Sequence, residues 1–130
     1  MSALPEKFEK HSCPRIHLLR ELKLVHENGT VVRANLRDIS PGGMRAMCDR
    51  DSAAFLVADG LINSSGSQAF ASFNLPVGSE SLEVEVDCRM MHLSLVENDR
   101  VAIGLRFVSF RGNSLENLRQ FILDSLEPSY

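Results

Sequence analysis

Between Leu82 and Met90 every second residue is apolar (Leu82, Val84, Val86, Cys88, Met90), and the residues between them are Glu83, Glu85, Asp87 and Arg89. Successive side chains of an extended strand point to opposite faces, so this period of two predicts a long strand with one buried and one charged face. The same period recurs through the chain. Ile16, Leu18, Leu22 and Leu24 share one face; Val32, Ala34 and Leu36 alternate with Arg33, Asn35 and Arg37; Val101, Ile103, Leu105 and Phe107 form a fourth such set. His26-Glu27-Asn28-Gly29-Thr30 carries an Asn-Gly hairpin signal, which joins the first two sets into a hairpin over Ile16–Asp38. A short strand Gly43–Met47 follows, then a strand Gln68–Leu75 ended by Pro76-Val77-Gly78. Glu97-Asn98-Asp99 turns the chain back into Arg100–Val108. Residues 49–67 are polar and turn-rich, with Phe55-Leu56-Val57 compatible with a helical turn or a strand.

An antiparallel meander of about six strands tends to close on itself, because closure removes the exposed edges. The C-terminal stretch has a different period. Asn113 with Glu116 three residues on makes a capping-box signal, and Leu115, Leu118, Phe121, Ile122, Ser125 and Leu126 recur at helical spacing. The expected fold is therefore mainly β: a six-stranded antiparallel β-barrel over residues 15–130, with a C-terminal helix over 113–126 lying on it. A polar, flexible arm over residues 1–14 is expected to precede it. At 130 residues one domain with a real core is expected.

Charge is unevenly placed. Residues 1–50 carry nine Lys/Arg against six Asp/Glu, and the remainder five against eleven, within a net charge of −3. Lys7, Lys10, Arg15, Arg33, Arg37, Arg45 and Arg50 make the first segment basic, which suits a small anionic ligand. The field is too modest for general binding to DNA or RNA. No apolar run approaches the roughly 18–20 residues that span a bilayer, so no membrane insertion is expected. Residues 1–10 lack an apolar h-region, and Cys13, Cys48 and Cys88 are odd in number and widely spaced. Both features lead to the expectation of a cytoplasmic protein with free thiols.

Within the basic segment lies Asp38-Ile39-Ser40-Pro41-Gly42-Gly43. Asp and Ser bond readily to nearby backbone, Pro fixes its own φ, and Gly tolerates φ > 0, so a turn with its own internal bonds is one reading. The other is a polar ligand site. An arginine just before the first strand (Cys13-Pro14-Arg15), the Asp-x-Ser-x-x-Gly element and the strand Ile103-Gly104-Leu105-Arg106-Phe107 together resemble the PilZ domain, from about Lys10 to Leu126.

PilZ domains are bacterial receptors for cyclic di-GMP, and the resemblance implies that ligand here. It puts Arg15, Asp38, Ser40 and Gly43 on ligand-binding positions. The family's first motif, Arg-x-x-x-Arg, reads His11-Ser12-Cys13-Pro14-Arg15, so His11 stands where the first arginine would be. Arg45 joins the set because alternation from Gly43 directs it to the same face. The chemistry suits the ligand. Arginine can grip a phosphate, pair with guanine O6/N7 or stack on a purine, and a carboxylate accepts from guanine N1–H and N2–H₂. His92 falls near a position where many family members have an aromatic; it could stack on a purine or be an ordinary partly buried strand histidine.

The expected function is a receptor that passes second-messenger level to a protein effector in motility or biofilm control. Ligand would order the arm around Arg15. The alternative is an interaction module of pilus or motility machinery that no longer binds the nucleotide. No cofactor, metal or enzymatic role is expected: Cys13 and His17 have no second ligand pair, and no nucleophile elbow, P-loop lysine or Gly-x-Gly-x-x-Gly is present.

Overall fold

The computed structural model describes residues 15–53, 67–96 and 99–126. His11, the 1–14 arm and the Phe55-Leu56-Val57 stretch lie outside the described residues. Six strands form a closed antiparallel barrel: β1 (Ile16–His26), β2 (Val31–Ser40), β3 (Gly43–Asp49), β4 (Ser67–Val77), β5 (Glu80–Val96) and β6 (Arg100–Phe110), ordered β1-β2-β3-β6-β5-β4 around the wall. A helix, α1 (Ser114–Leu126), follows. The barrel closes where β1 meets β4, paired from Lys23↔Ser72 to His26↔Ala69. Beyond that, the Arg20 Nε donates to the Asn74 carbonyl at 3.3 Å across the seam.

Alternation determines which residues fill the barrel. Leu22, Leu24, Val32, Ala34, Leu36, Met44, Ala46, Ala71, Phe73, Leu75, Val84, Val86, Ile103 and Leu105 all turn inward and are buried. The β1–β2 loop runs through Glu27–Thr30 with Gly29 at φ 94, where a Cβ would be strained, and His26 N–H donates to the Thr30 carbonyl at 2.8 Å. His26 itself closes β1 and is 6% exposed, inside the wall rather than in the turn.

Several expectations needed correction. The third strand runs on to Asp49, whose carboxylate accepts the Ser52 N–H at 2.7 Å and is thereby held below its ordinary range. The long strand runs through His92 to Val96, and a bulge between Met90 and His92 breaks its alternation, so that Met91 and His92 are both exposed. On α1 only Ser114, Leu118, Phe121 and Ile122 are buried; Leu115, Ser125 and Leu126 face solvent. The helix packs on β4 and β5 through its four buried residues, and its last turn, Leu123 to Leu126, is exposed. Asn113 does sit at the N-cap, its carbonyl accepting from Asn117 N–H at 2.9 Å, while Glu116 reaches forward to Arg119 at 3.5 Å.

Cys48 and Cys88 are buried free thiols. Burial pushes the Cys48 thiol up to about 11 and the Cys88 thiol up to about 12. Both stay protonated and shielded at neutral pH. In a Cys13→Ser background, Ellman's reagent is therefore expected to find no reactive thiol in the native protein and both in guanidinium; rapid native labelling would contradict this core. The raised values also set a sign. Because the folded barrel favours the neutral thiols, their contribution is complete below the unfolded value near 9.0 and is lost as pH rises through about 11–12.

Candidate functional site

The Asp38–Gly43 element is mostly strand. Asp38, Ile39 and Ser40 end β2, Gly43 starts β3, and only Pro41-Gly42 forms the turn. Ser40 pairs with Gly43, and the Ser40 hydroxyl donates to the Gly43 carbonyl at 3.2 Å. Neither Gly42 nor Gly43 adopts positive φ. Gly43 is required for a different reason: a Cβ there would overlap the Leu105 carbonyl oxygen and lie 3.3 Å from the Arg106 Cα. The Gly42 carbonyl accepts from Phe107 N–H at 2.9 Å, strapping the turn to β6.

Asp38 does not bond its own turn. A register shift between Leu36 and Asp38 sets its carboxylate on the outer wall, where two arginines cover it to 2% exposure. Arg15, just ahead of β1, donates from Nη1 to Oδ1 at 2.8 Å. Arg45 of β3, directly opposite in the pairing, donates to Oδ2 from Nε at 2.8 Å and from Nη2 at 2.7 Å. This bond raises the Arg45 pKa further. The arginine side chains keep 44% and 52% of their surface exposed, against 3% for Asp38. A buried anion is thus held between two cations that still face solvent.

Strand register extends this arrangement across the wall. One row runs Asp38, Arg45, Gly104, His92; the next runs Ser40, Gly43, Arg106, Arg89. Arginine and glycine alternate in a checkerboard over β3 and β6. His92 is exposed rather than partly buried, and its ring lies where a side chain at Gly104 would be, so any Cβ there would overlap it. The structure therefore brings together Arg15, Asp38, Ser40, Gly43 and Arg45. Arg106 and Arg89, on the same face, were missed. Arg89 was read as one of the polar residues of its strand, and only the β5–β6 register shows that it faces Arg106. Among the described residues no group of three or more His, Cys, Asp or Glu is placed to hold a metal ion, and no helix is long and apolar enough to cross a membrane.

The architecture is thus a small closed barrel with a C-terminal helix and a carboxylate clamped by arginines on its outer wall. The PilZ domain family model matches residues 9–124, and the chain belongs to that family. No curated protein gives a significant match. Among solved structures, the fold is similar to the Bacillus subtilis inhibitor of motility MotI/DgrA (TM-score 0.67, 15% identity, 89% of this chain and 51% of that one). It is similar also to K. pneumonia MrkH in complex with c-di-GMP (TM-score 0.62, 18% identity, 90% and 52%). The PilZ domain of Escherichia coli YcgR with c-di-GMP is matched over 90% of this chain and 91% of that one, at TM-score 0.59 and 16% identity. The chain spans about half the length of the MotI/DgrA and MrkH chains it matches.

Proposed function

We propose that this chain is a cyclic di-GMP receptor domain, a binding module rather than an enzyme, that relays ligand occupancy to a protein partner. The observation that carries the reading is the Asp38 carboxylate, buried yet held by two half-exposed arginines on an open wall. A guanine offers N1–H and N2–H₂ to a carboxylate and O6/N7 to a guanidinium, so one base can replace part of each arginine's hold on Asp38 while keeping every group bonded. The remaining guanidinium donors then reach the phosphodiester. Arg15 stands at the junction with residues 1–14, so ligand would draw that segment towards the wall. Amide hydrogen exchange of residues 1–15 is expected to slow on binding; unchanged exchange would remove this relay.

The deciding test is calorimetric titration with cyclic di-GMP, with cyclic di-AMP as control. Adenine has no N1–H or N2 amino donor for Asp38, so heat with the guanine ligand alone supports the reading. No heat and no melting shift with cyclic di-GMP would sink it. His11, in place of the family's first motif arginine, favours a second reading: a PilZ module that captures a protein partner without nucleotide. In that case Asp38→Ala would leave partner capture intact.

A further inference from the structure

Arg89 and Arg106 face each other directly across the β5–β6 pairing, both on the outer wall. Side chains directly opposite in an antiparallel pair start about 5 Å apart at Cβ, and like charges in that position destabilise a sheet. Proteins usually answer such a pair with a carboxylate. Here, among the described residues, neither arginine has one. Asp87, two positions along β5, is taken by Arg111 at 3.0 Å, and Glu27 accepts the Gln68 N–H at 2.9 Å. Gln68, the neighbour of Arg89 on β4, is uncharged. The two further cations of the face, Arg15 and Arg45, are both engaged with Asp38, and Arg45 stands one row away, diagonal to Arg106. Moreover, the Arg89 Nε is buried and has no hydrogen-bond acceptor among the described residues. A buried guanidinium N–H without an acceptor beside a second uncompensated guanidinium is a site that lacks its anion.

We infer that Arg89 and Arg106 form a second anion subsite that takes a phosphate group, next to the Asp38 clamp. Two guanidinium forks rising from directly opposed positions on adjacent strands suit a tetrahedral phosphoryl group, which accepts several N–H donors at once. The two rows lie one side-chain repeat apart on the sheet, about 6–7 Å, so a nucleotide whose base meets Asp38 and Arg45 can place a phosphate on Arg106. This assignment rests on the proposed nucleotide reading for its physiological ligand, but not for its anion chemistry.

The test separates the two. Inorganic pyrophosphate alone is titrated into ¹⁵N-labelled protein while the arginine side-chain Nε–H signals are followed. The Arg89 and Arg106 signals are expected to shift and saturate, and Arg89→Gln and Arg106→Gln to abolish the response. The same two variants are then titrated with cyclic di-GMP, where roughly tenfold weaker binding is expected for each. Relief of the like-charge pair gives a signature that a merely structural arginine would not: the ligand-free Arg106→Gln protein should melt about 1–3 °C higher than the parent. Failure of the parent to bind cyclic di-GMP with an intact pyrophosphate response would discard the receptor reading and keep the subsite. Unmoved arginine signals, wild-type cyclic di-GMP affinity in both variants, or a lower melting point for Arg106→Gln would overturn the subsite.

Discussion

Asp38→Ala is expected to weaken cyclic di-GMP binding roughly a hundredfold or more, and Arg15→Ala roughly ten- to a hundredfold, in calorimetric titration. The order follows from the geometry. Among the described residues Asp38 is the sole carboxylate within the clamp, and it is the acceptor proposed for the guanine N–H edge, while Arg15 makes one of the three bonds that hold it. Stability should move far less than affinity, which separates a binding role from a folding one. Without Asp38, the two arginines can turn to water, since 44% and 52% of their side-chain surface already faces it. The cost is expected near ~1 kcal/mol. The double variant Arg15→Ala/Arg45→Ala removes the side chains that cover Asp38 and opens its carboxylate to water, so it too should cost only about 1–2 kcal/mol. Denaturant melts of the two proteins read this directly. Equal affinity of parent and Asp38→Ala would remove the carboxylate from recognition.

Gly43→Ala is the substitution expected to harm the fold most for its size. Its methyl group would enter the space of the Leu105 carbonyl oxygen, and a backbone atom in a paired strand cannot swing aside. Either β3 and β6 separate or the Ser40–Gly43 end of the hairpin opens; about 2–4 kcal/mol is expected. For a chain of this size that lowers the melting temperature by roughly 8–15 °C. Gly42→Ala is the matched control. Nothing lies within 4 Å of its added Cβ and its φ is not positive, so its effect should stay within about 0.5 kcal/mol. Similar losses from both would show that turn flexibility, rather than strand approach, is what the Gly-Gly pair supplies.

These two predictions draw on different levels of the molecule. The six strands, their inward faces and the presence of a C-terminal helix were legible in the chain, because periods of two and 3.6 are local properties of the backbone. So was the resemblance to the family whose model matches residues 9–124. What each residue of the Asp-x-Ser-x-x-Gly element does was not legible. Read alone, Asp38 is either a turn carboxylate or a ligand group, and Gly43 either a residue for positive φ or one that lets a ligand approach. In the barrel, Asp38 is a strand residue gripped from β3 and from the entry to β1, and Gly43 is small because a neighbouring carbonyl needs the space.

The same division holds elsewhere. Helical spacing grouped Leu115 and Leu126 with Phe121, yet both leucines are exposed and Phe121 is buried. Alternation placed Arg89 and Arg106 on outer faces of their own strands, but their confrontation depends on the register between β5 and β6, set by bulges on either side. Periodicity determined which side of each strand meets water. Pairing register, a long-range property decided by how the strands close into a barrel, determined which charges meet each other.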